Sequence, residues 1–424
     1  MTVNRKMLAV LAVAVFLLVT IAVAGSGLAQ PTSIEQLGEH LYFDENLSEP
    51  AGQSCASCHD PAFAFVDPDK GIPVSEGVIP GLFGTRNSPM AAYAMYAPIF
   101  HFDDTEGLWI GGQFWDGRAT GSVLLDPASL GDPLADQALG PFLNPVEMAN
   151  TSKAQVIADV AASSYAGLFE EVWGPGSLDD VETAYDQVAL SIAAFERTGL
   201  FAPFTSKYDA YLAACITAGE MPDNCAKGVG PTAEAVGTKM FSKKEWHGFQ
   251  LFMGEDNNND GVLDSGEGAM CVLCHVADWT AAADYDLQVQ VPAWAPSGMV
   301  PPVFTDFTFD NLGVPKSDHR LLVDAPVDLG LGPIVEDPAE NGKFKVMPLR
   351  NIHLTAPYAH NGFFKTLDDI THFYNTRDAV AEMWPAPEYP GTVNFDELGN
   401  LGLSDKDEQA LVKFMKTLTD GWMP

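Results

Sequence analysis

The 424-residue sequence predicts an all-α fold in which two small helical domains carry long irregular loops. Three segments place apolar residues at helical spacing, and two of them follow a helix-capping signal. The segments between them are rich in Pro and Gly, as at 293–302, and show little of the alternation typical of strands. A five-residue motif also occurs once in each half, which favours two domains.

The predicted helices lie near both ends of the chain and at its centre. The first opens with a capping box over 33–36, the second covers 181–198, and the third follows a cap at Ser404. Their apolar faces are formed by Leu37, Leu41 and Phe43, by Val188, Ala189, Ile192, Ala193 and Phe195, and by Ala410, Leu411, Phe414, Met415 and Leu418.

The repeated motif is C-x-x-C-H, at 55–59 and 271–275. It is the attachment signature of c-type haem, in which two thiols add to the porphyrin vinyl groups and the histidine becomes the proximal iron ligand. The alternatives are a redox-active cysteine pair or half of a zinc site, but no second pair of zinc ligands is nearby. We therefore expect two cytochrome c-like domains with covalent haems held by Cys55, Cys58 and His59 and by Cys271, Cys274 and His275.

The N-terminus is typical of an exported protein. Arg5 and Lys6 precede an apolar run over 7–24, and small residues follow at 25–29, which predicts a signal peptide over 1–29. An uncleaved membrane anchor is the alternative, because the run approaches the length that spans a bilayer. We expect a periplasmic protein without stable membrane insertion after cleavage, with domains over 30–228 and 229–424.

Two cysteines lie outside the haem motifs, and the overall charge is strongly acidic. Cys215 and Cys225 predict a local disulfide in an oxidising compartment; the alternative is two free thiols. The formal net charge is −35, which disfavours nucleic acid and anionic lipid as partners. Such a surface can steer a basic or dipolar protein donor, or it can serve solubility in a saline habitat.

Seven sequence blocks resemble the bacterial dihaem cytochrome c peroxidase/MauG family along nearly the whole mature length. The blocks are LGEHLYFDENLS, GTRNSP, FWDGRA, QALGPFLNPVEM, DNLGVP, PLRNIHLTAPYAHNG and TLDDITHFYN, in that order. The resemblance implies a peroxidase-type oxidoreductase with an N-terminal peroxidatic domain and a C-terminal electron-transfer domain.

The resemblance assigns a peroxide pocket to the first haem. It implies that Gln137, Pro141 and Glu147 form this pocket and that Trp115 lies between the haems. A carboxylate beside the iron can take a proton from H2O2 and return it to the leaving oxygen, which is general acid–base catalysis. The alternatives are a surface acid for Glu147 and a core aromatic for Trp115.

Two axial positions depart from classical peroxidases of the family. Many members carry a loop histidine that ligates the resting first haem; here the position is near Ser75, and no histidine occurs between His59 and His101. The first haem is therefore expected to be open to peroxide, with His101 as the alternative ligand. At the second haem, Tyr374 stands where those peroxidases place methionine, as in MauG-type proteins. A phenolate there favours oxidised iron; the alternative ligands are Met347, His372 and Met383.

Two calcium sites are predicted. The resemblance implies one between the domains, at Asn87 and the carbonyl groups of Thr355 and Pro357. The segment 256–267 also matches the EF-hand pattern D-x-[DN]-x-[DN]-G-x5-E. Its oxygen ligands are expected from Asp256, Asn258, Asp260, Val262 (carbonyl), Asp264 and Glu267. The alternative is a flexible acidic insertion.

Three functions compete. The first is reduction of H2O2 with electrons from a small cytochrome c or a copper protein. The second is a MauG-like oxidase that modifies tryptophan in a partner protein through a bis-ferryl state, and the third is a pure electron carrier. Glu147 and the open first haem disfavour the carrier, and Tyr374 favours the oxidase. MauG-type proteins place a partner-facing tryptophan where this chain has Ala269, which disfavours the quinone-forming reaction on an amine dehydrogenase.

Overall fold

The structure is a computed structural model that describes residues 32–69, 71–254, 268–381 and 383–423. The predicted signal peptide and the EF-hand-like segment 256–267 lie outside these ranges. Within them no helix is long and apolar enough to cross a membrane. The fold is helix-rich, as the sequence predicts, but it is not purely α-helical.

Thirteen α-helical segments occur in the described ranges. They are α1 (Ser33–Phe43), α2 (Cys55–Cys58), α3 (Pro133–Leu143), α4 (Lys153–Ala162), α5 (Ala166–Trp173), α6 (Val181–Glu196), α7 (Lys207–Thr217), α8 (Pro222–Lys227), α9 (Pro231–Met240), α10 (Lys243–Met253), α11 (Gly332–Val335), α12 (Leu367–Thr376) and α13 (Asp405–Met415). Single 3-10 turns connect several of them, including Cys271–Leu273 at the second haem motif.

Three short antiparallel strand pairs in the described ranges correct the all-α prediction. They are β1 (His101–Asp103) with β2 (Leu108–Ile110), β3 (Thr280–Ala281) with β4 (Met299–Val300), and β5 (Phe309–Asp310) with β6 (Phe344–Lys345). Two- and three-residue strands are too short to produce a readable alternation in sequence. The pair of β5 and β6 matters most, because it holds Lys345 opposite Phe309 beside the cavities described below.

The predicted helices form, with one cap displaced. The N-cap of α1 is Thr32, and its side chain and Glu35 form the capping box, one residue before the predicted box over 33–36. Helix α6 ends at Glu196, two residues before the predicted end. The predicted cap at Ser404 is confirmed, with Asp407 as its partner.

In each half of the chain, a helix that precedes the haem motif packs against a helix that follows it. Helix α1 packs on α6, and α10 packs on α13. A glycine makes each close approach feasible: a Cβ at Gly38 would overlap the Ser191 carbonyl oxygen, and one at Gly248 would overlap that of Ala410. The two pairs therefore fix where the two C-x-x-C-H turns lie.

The buried apolar side chains form two main clusters. The first gathers α1, α3, α4 and α6 and includes Val300, Val303 and Phe307 from the second half. The second gathers α10, α12 and α13 and includes α7 and α8. The domain boundary at 228 stays a prediction. The predicted disulfide is confirmed: it joins Cys215 of α7 to Cys225 of α8, with 5.9 Å between their Cα atoms.

A fully buried arginine connects distant segments of the chain. Arg350 is 0% exposed, and its Nη1 lies 2.8 Å from both carboxylate oxygens of Asp209 on α7. Its Nε and Nη2 donate to the Pro302 carbonyl oxygen at 2.9 and 2.6 Å. The guanidinium carbon also lies 4.9 Å from the ring centre of Phe204. Arg350 thus has both its counter-ion and its hydrogen-bond acceptors inside the protein.

Asp209→Asn should destabilise the protein strongly, because it leaves the Arg350 charge buried without a counter-ion. The expected loss is about 3–5 kcal/mol in the free energy of unfolding. Glu182→Gln, which breaks the exposed pair with Lys153, is the control and should cost at most about 1 kcal/mol. Denaturant unfolding of the holoprotein measures both. Equal, small losses in the two variants would contradict this assignment.

Candidate functional site

Two cavities adjoin the two C-x-x-C-H motifs. The first cavity has a volume of about 720 Å³, and its wall includes Cys55, Cys58 and His59. The second has a volume of about 230 Å³, and its wall includes the corresponding residues Cys271, Cys274 and His275. Both walls are mainly apolar, as a porphyrin face requires.

The local backbone presents each histidine in the same way. His59 follows the short helix α2, and its Nδ1 lies 3.3 Å from the Phe65 carbonyl oxygen. His275 follows the second motif, and its Nδ1 lies 2.9 Å from the Phe304 carbonyl oxygen. A hydrogen bond from Nδ1 to a backbone carbonyl fixes the ring and leaves Nε2 as the metal-binding atom.

Burial changes the titration of both motifs. It lowers the pKa of His59, and it lowers that of His275 to about 4, which favours the neutral ring that binds iron. Burial raises the pKa of Cys58 and of Cys271 to about 12. No cluster of three or more His, Cys, Asp or Glu side chains suited to a metal ion occurs in the described ranges.

The predicted peroxide-binding residues all line the first cavity. Gln137 and Pro141 lie on α3, and Glu147 lies in the turn that follows this helix. The Asn144 side-chain nitrogen donates to Glu147 Oε1 at 2.8 Å. Burial raises the pKa of the Glu147 carboxyl, while Arg118 and the Asn144 amide act in the opposite direction. The structure therefore brings together the three predicted residues and adds Asn144 and Arg118.

An ion-pair network includes three residues of the first cavity's wall, Arg86, Arg118 and Asp328. Arg86 donates to Asp116 at 2.6 Å and to both oxygens of Asp328, at 2.6 and 2.8 Å. Arg118 also contacts Asp116, at 3.0 Å, and stacks over Phe114 with its guanidinium carbon 3.7 Å from the ring centre. The sequence analysis did not single out these charges, although the blocks GTRNSP and FWDGRA contain three of them.

The two candidate positions for an extra ligand of the first haem differ in location. Ser75 lies in the wall of the first cavity. His101 lies on the exposed strand β1, where its Nδ1 is 2.8 Å from the Ile99 carbonyl oxygen. It is not among the residues that line the first cavity.

Trp115 lies between the cavities and lines both of them. Its indole Nε1 donates to the Asn87 carbonyl oxygen at 2.8 Å, and its own carbonyl oxygen accepts from the Lys345 amide at 2.9 Å. These two hydrogen bonds fix the side chain and the backbone of this residue independently. Trp115 is therefore shared by the two cavities, and its role between two haems stays a prediction.

Tyr374, on α12, lines the second cavity. Burial raises the pKa of its phenol, so its ionisation there depends on a neighbouring cation. Among the alternative ligands, Met347 also lines this cavity. Met383 is 96% exposed, and His372 Nδ1 lies 2.9 Å from Glu408. Neither of these two belongs to the cavity wall.

The residues of the predicted inter-domain calcium site lie along one wall. Asn87, Thr355 and Pro357 all line the second cavity. The Asn87 side-chain nitrogen donates to the Pro73 carbonyl oxygen at 3.0 Å, and its backbone amide donates to the His360 carbonyl oxygen at 2.7 Å. The calcium assignment itself stays a prediction.

Two further buried ionisable residues line the first cavity, and the sequence analysis missed both. Glu196, at the end of α6, is 6% exposed, and burial raises its pKa to about 8. Lys345, on β6, is 4% exposed, and burial lowers its pKa to about 7 against the opposing effect of Asp116. A Glu at the end of an amphipathic helix and a Lys between apolar residues give no sequence signal of burial.

Comparisons with known proteins agree with this geometry. The family model for di-haem cytochrome c peroxidase matches residues 32–215. The methylamine utilization protein MauG of Paracoccus denitrificans is 35% identical over 409 residues, covering 92% of this chain and 89% of that protein. Cytochrome c551 peroxidase of Pseudomonas aeruginosa is 26% identical over 394 residues, covering 92% and 80%. The crystal structure of the diheme peroxidase BthA from Burkholderia thailandensis is similar with a TM-score of 0.70 and 28% identity, covering 92% and 87%.

Glu196 should make stability fall as pH rises. Its pKa is about 8 in the folded protein and close to 4.5 when exposed, so the folded state binds the extra proton. Its stabilising contribution is complete below pH 4.5 and is lost as pH rises through 8, by at most about 1.4 kcal/mol per pH unit. Glu196→Gln should remove this loss, so the variant gains stability relative to wild type between pH 5 and 8.5.

Thermal unfolding of the holoprotein across that pH range measures the effect. Glu39→Gln, at an exposed site on α1, is the matched control and should follow the wild-type profile. A Glu196→Gln profile parallel to wild type would show that the folded and unfolded states bind this proton equally.

Proposed function

The chain belongs to the di-haem cytochrome c peroxidase/MauG family, and from that premise we propose that it reduces H2O2 to water in the first cavity. It is a peroxidase-type oxidoreductase. The two electrons come from a small cytochrome c or a copper protein and enter through the second cavity. We place this reaction in the periplasm, because the N-terminal segment has the pattern of a signal peptide.

One observation carries the proposal: the wall of a single cavity contains both a haem-attachment motif and a partly buried acid–base group. Cys55, Cys58 and His59 lie in this wall together with Glu147. Two thiols and a neutral imidazole are the donor set that c-type haem requires, so the residues present fit the group. A pure electron carrier has no use for a partly buried carboxyl group in its haem cavity.

The two C-x-x-C-H motifs provide the residues that would bind the haems. His59 and His275 would hold the two irons, and the cysteine pairs would hold the porphyrins. When bound, the first haem supplies an iron that exchanges electrons with peroxide. The overall reaction consumes H2O2, two electrons and two protons and yields two water molecules.

Glu147 moves the protons in this proposal. Burial raises its pKa, which brings the carboxyl closer to the working range of a general acid and base. It takes a proton from one oxygen of H2O2 and returns it to the other, which leaves as water. The Asn144 side chain fixes Glu147 Oε1 by its 2.8 Å hydrogen bond and leaves Oε2 for the substrate.

Trp115 is the proposed route for electrons between the cavities. It lines both, and its hydrogen bonds to Asn87 and Lys345 hold it rigidly. A rigid aromatic group reduces the reorganisation that accompanies each transfer. The calcium sites predicted at Asn87, Thr355 and Pro357 and at 256–267 belong to the same proposal, as structural ions.

A second candidate function is oxidation of a partner protein, in the manner of MauG-like enzymes. Tyr374 in the wall of the second cavity favours it, since an anionic oxygen ligand stabilises oxidised iron. The 35% identity to the Paracoccus protein supports the same candidate. A steady-state assay with H2O2 and a reduced small cytochrome c separates the two. Rapid cytochrome oxidation supports the peroxidase, and peroxide consumption without it supports the protein oxidase.

Glu147→Gln tests the peroxide chemistry directly. The amide keeps an oxygen that can accept from Asn144 but cannot carry the proton. The rate constant for reaction with H2O2 should therefore fall by about 10²–10⁴. Stopped-flow absorbance measures it, and Glu171→Gln, on the exposed face of α5, is the matched control. A loss smaller than tenfold would remove Glu147 from the mechanism.

A further inference from the structure

Lys345 occupies a position that a lysine rarely takes. Its residue is 4% exposed, although a four-carbon stem normally lets the ammonium group reach water. The backbone leaves it no freedom to do so: its amide donates to the Trp115 carbonyl oxygen at 2.9 Å, and it pairs with Phe309 across β5 and β6. The side chain is therefore held inside the protein by the strand.

The ammonium group has one polar partner in the described ranges. Its Nζ donates to the Gly112 carbonyl oxygen at 2.6 Å, and no carboxylate lies within ion-pair distance. A buried lysine without a counter-ion is costly, because the lost hydration of the charge is not repaid. An anion that reaches Nζ from a cavity would hold this amine in its charged form.

The neighbouring carboxylates have other partners. Asp116 and Asp328 each lie 2.6 Å from Arg86. Glu388 lies 3.1 Å from His360 Nε2. Asp116 and Asp328 are therefore shared with Arg86, and none of these acids forms an ion pair with Lys345 Nζ.

Lys345 also differs from the other cations in where it lies. Within the described ranges, eleven residues line both cavities, and Lys345 is the one Lys or Arg among them. Arg86, Arg118 and Lys316 line the first cavity alone. An anion that meets Lys345 therefore lies where the two cavities adjoin.

We propose that Lys345 is a positioning residue that pairs with propionate carboxylates of both bound haems and, by its positive charge, raises the reduction potential of both irons. This inference rests on the proposed two-haem function. Haem carries two propionates. These are the anionic groups that would enter the cavities when the two C-x-x-C-H motifs bind haem. A positive charge near both irons favours the ferrous state at each.

Lys345→Met removes the charge and keeps much of the volume. The equilibrium constant for reduction of each haem should fall at least about tenfold, which equals 59 mV for a one-electron couple. Lys345→Arg keeps the charge, so both reduction potentials should stay within about 59 mV of wild type. Lys316→Met is the matched control: this lysine lines the first cavity alone, so the second haem should be unchanged.

Spectroelectrochemical titration of the holoproteins measures both potentials, and pyridine haemochrome absorbance counts the haems. The proposal would be overturned if the reduction potential in Lys345→Met fell by less than about 59 mV at both haems or at either one of them. Loss of haem in Lys345→Met but not in Lys345→Arg would support it; loss in both would assign Lys345 to packing. The titration uses neither peroxide nor a protein donor, so a wild-type protein with two haems and no peroxidase activity would disprove the proposed function and leave this test valid.

Discussion

The buried ion pair between Arg350 and Asp209 fixes the segment on which both cavities depend. Lys345, Met347 and Pro348 line both cavities, and Arg350 anchors the end of this segment to α7. Burying the Arg350 guanidinium without its counter-ion would strongly destabilise the folded state. Helix α7 and the segment 345–350 must therefore fold together. One electrostatic constraint therefore sets the position of the wall that the two sites share. Arg350 itself packs on rings of both apolar clusters, on Phe204 of the first and Phe304 of the second.

The proposed function gives the two cavities different tasks. In that proposal, protons are moved in the first cavity by Glu147, which Asn144 holds by a hydrogen bond, and electrons enter through the second. The side chains of the wall that the cavities share are fixed by hydrogen bonds to backbone: Trp115 to Asn87 and Lys345 to Gly112.

Much of this site could be predicted from the sequence because the motif for covalent haem attachment is made of contiguous residues. The C-x-x-C-H turns, the long helices and the Cys215–Cys225 disulfide could all be predicted. The β5–β6 pair could not, because two-residue strands have no period. Lys345 and Glu196 were missed for a related reason: whether a charged side chain is buried depends on tertiary packing, which local sequence does not report.

Trp115→Phe tests the central claim, that electrons from the donor cross the shared wall to the peroxide cavity. Phenylalanine keeps an aromatic ring but loses the Nε1 hydrogen bond to Asn87 and the low-energy indole route. Stopped-flow measurement should show an unchanged first reaction with H2O2, while turnover with reduced cytochrome c falls at least about tenfold. Turnover equal to wild type in a protein that still carries two haems would contradict the claim.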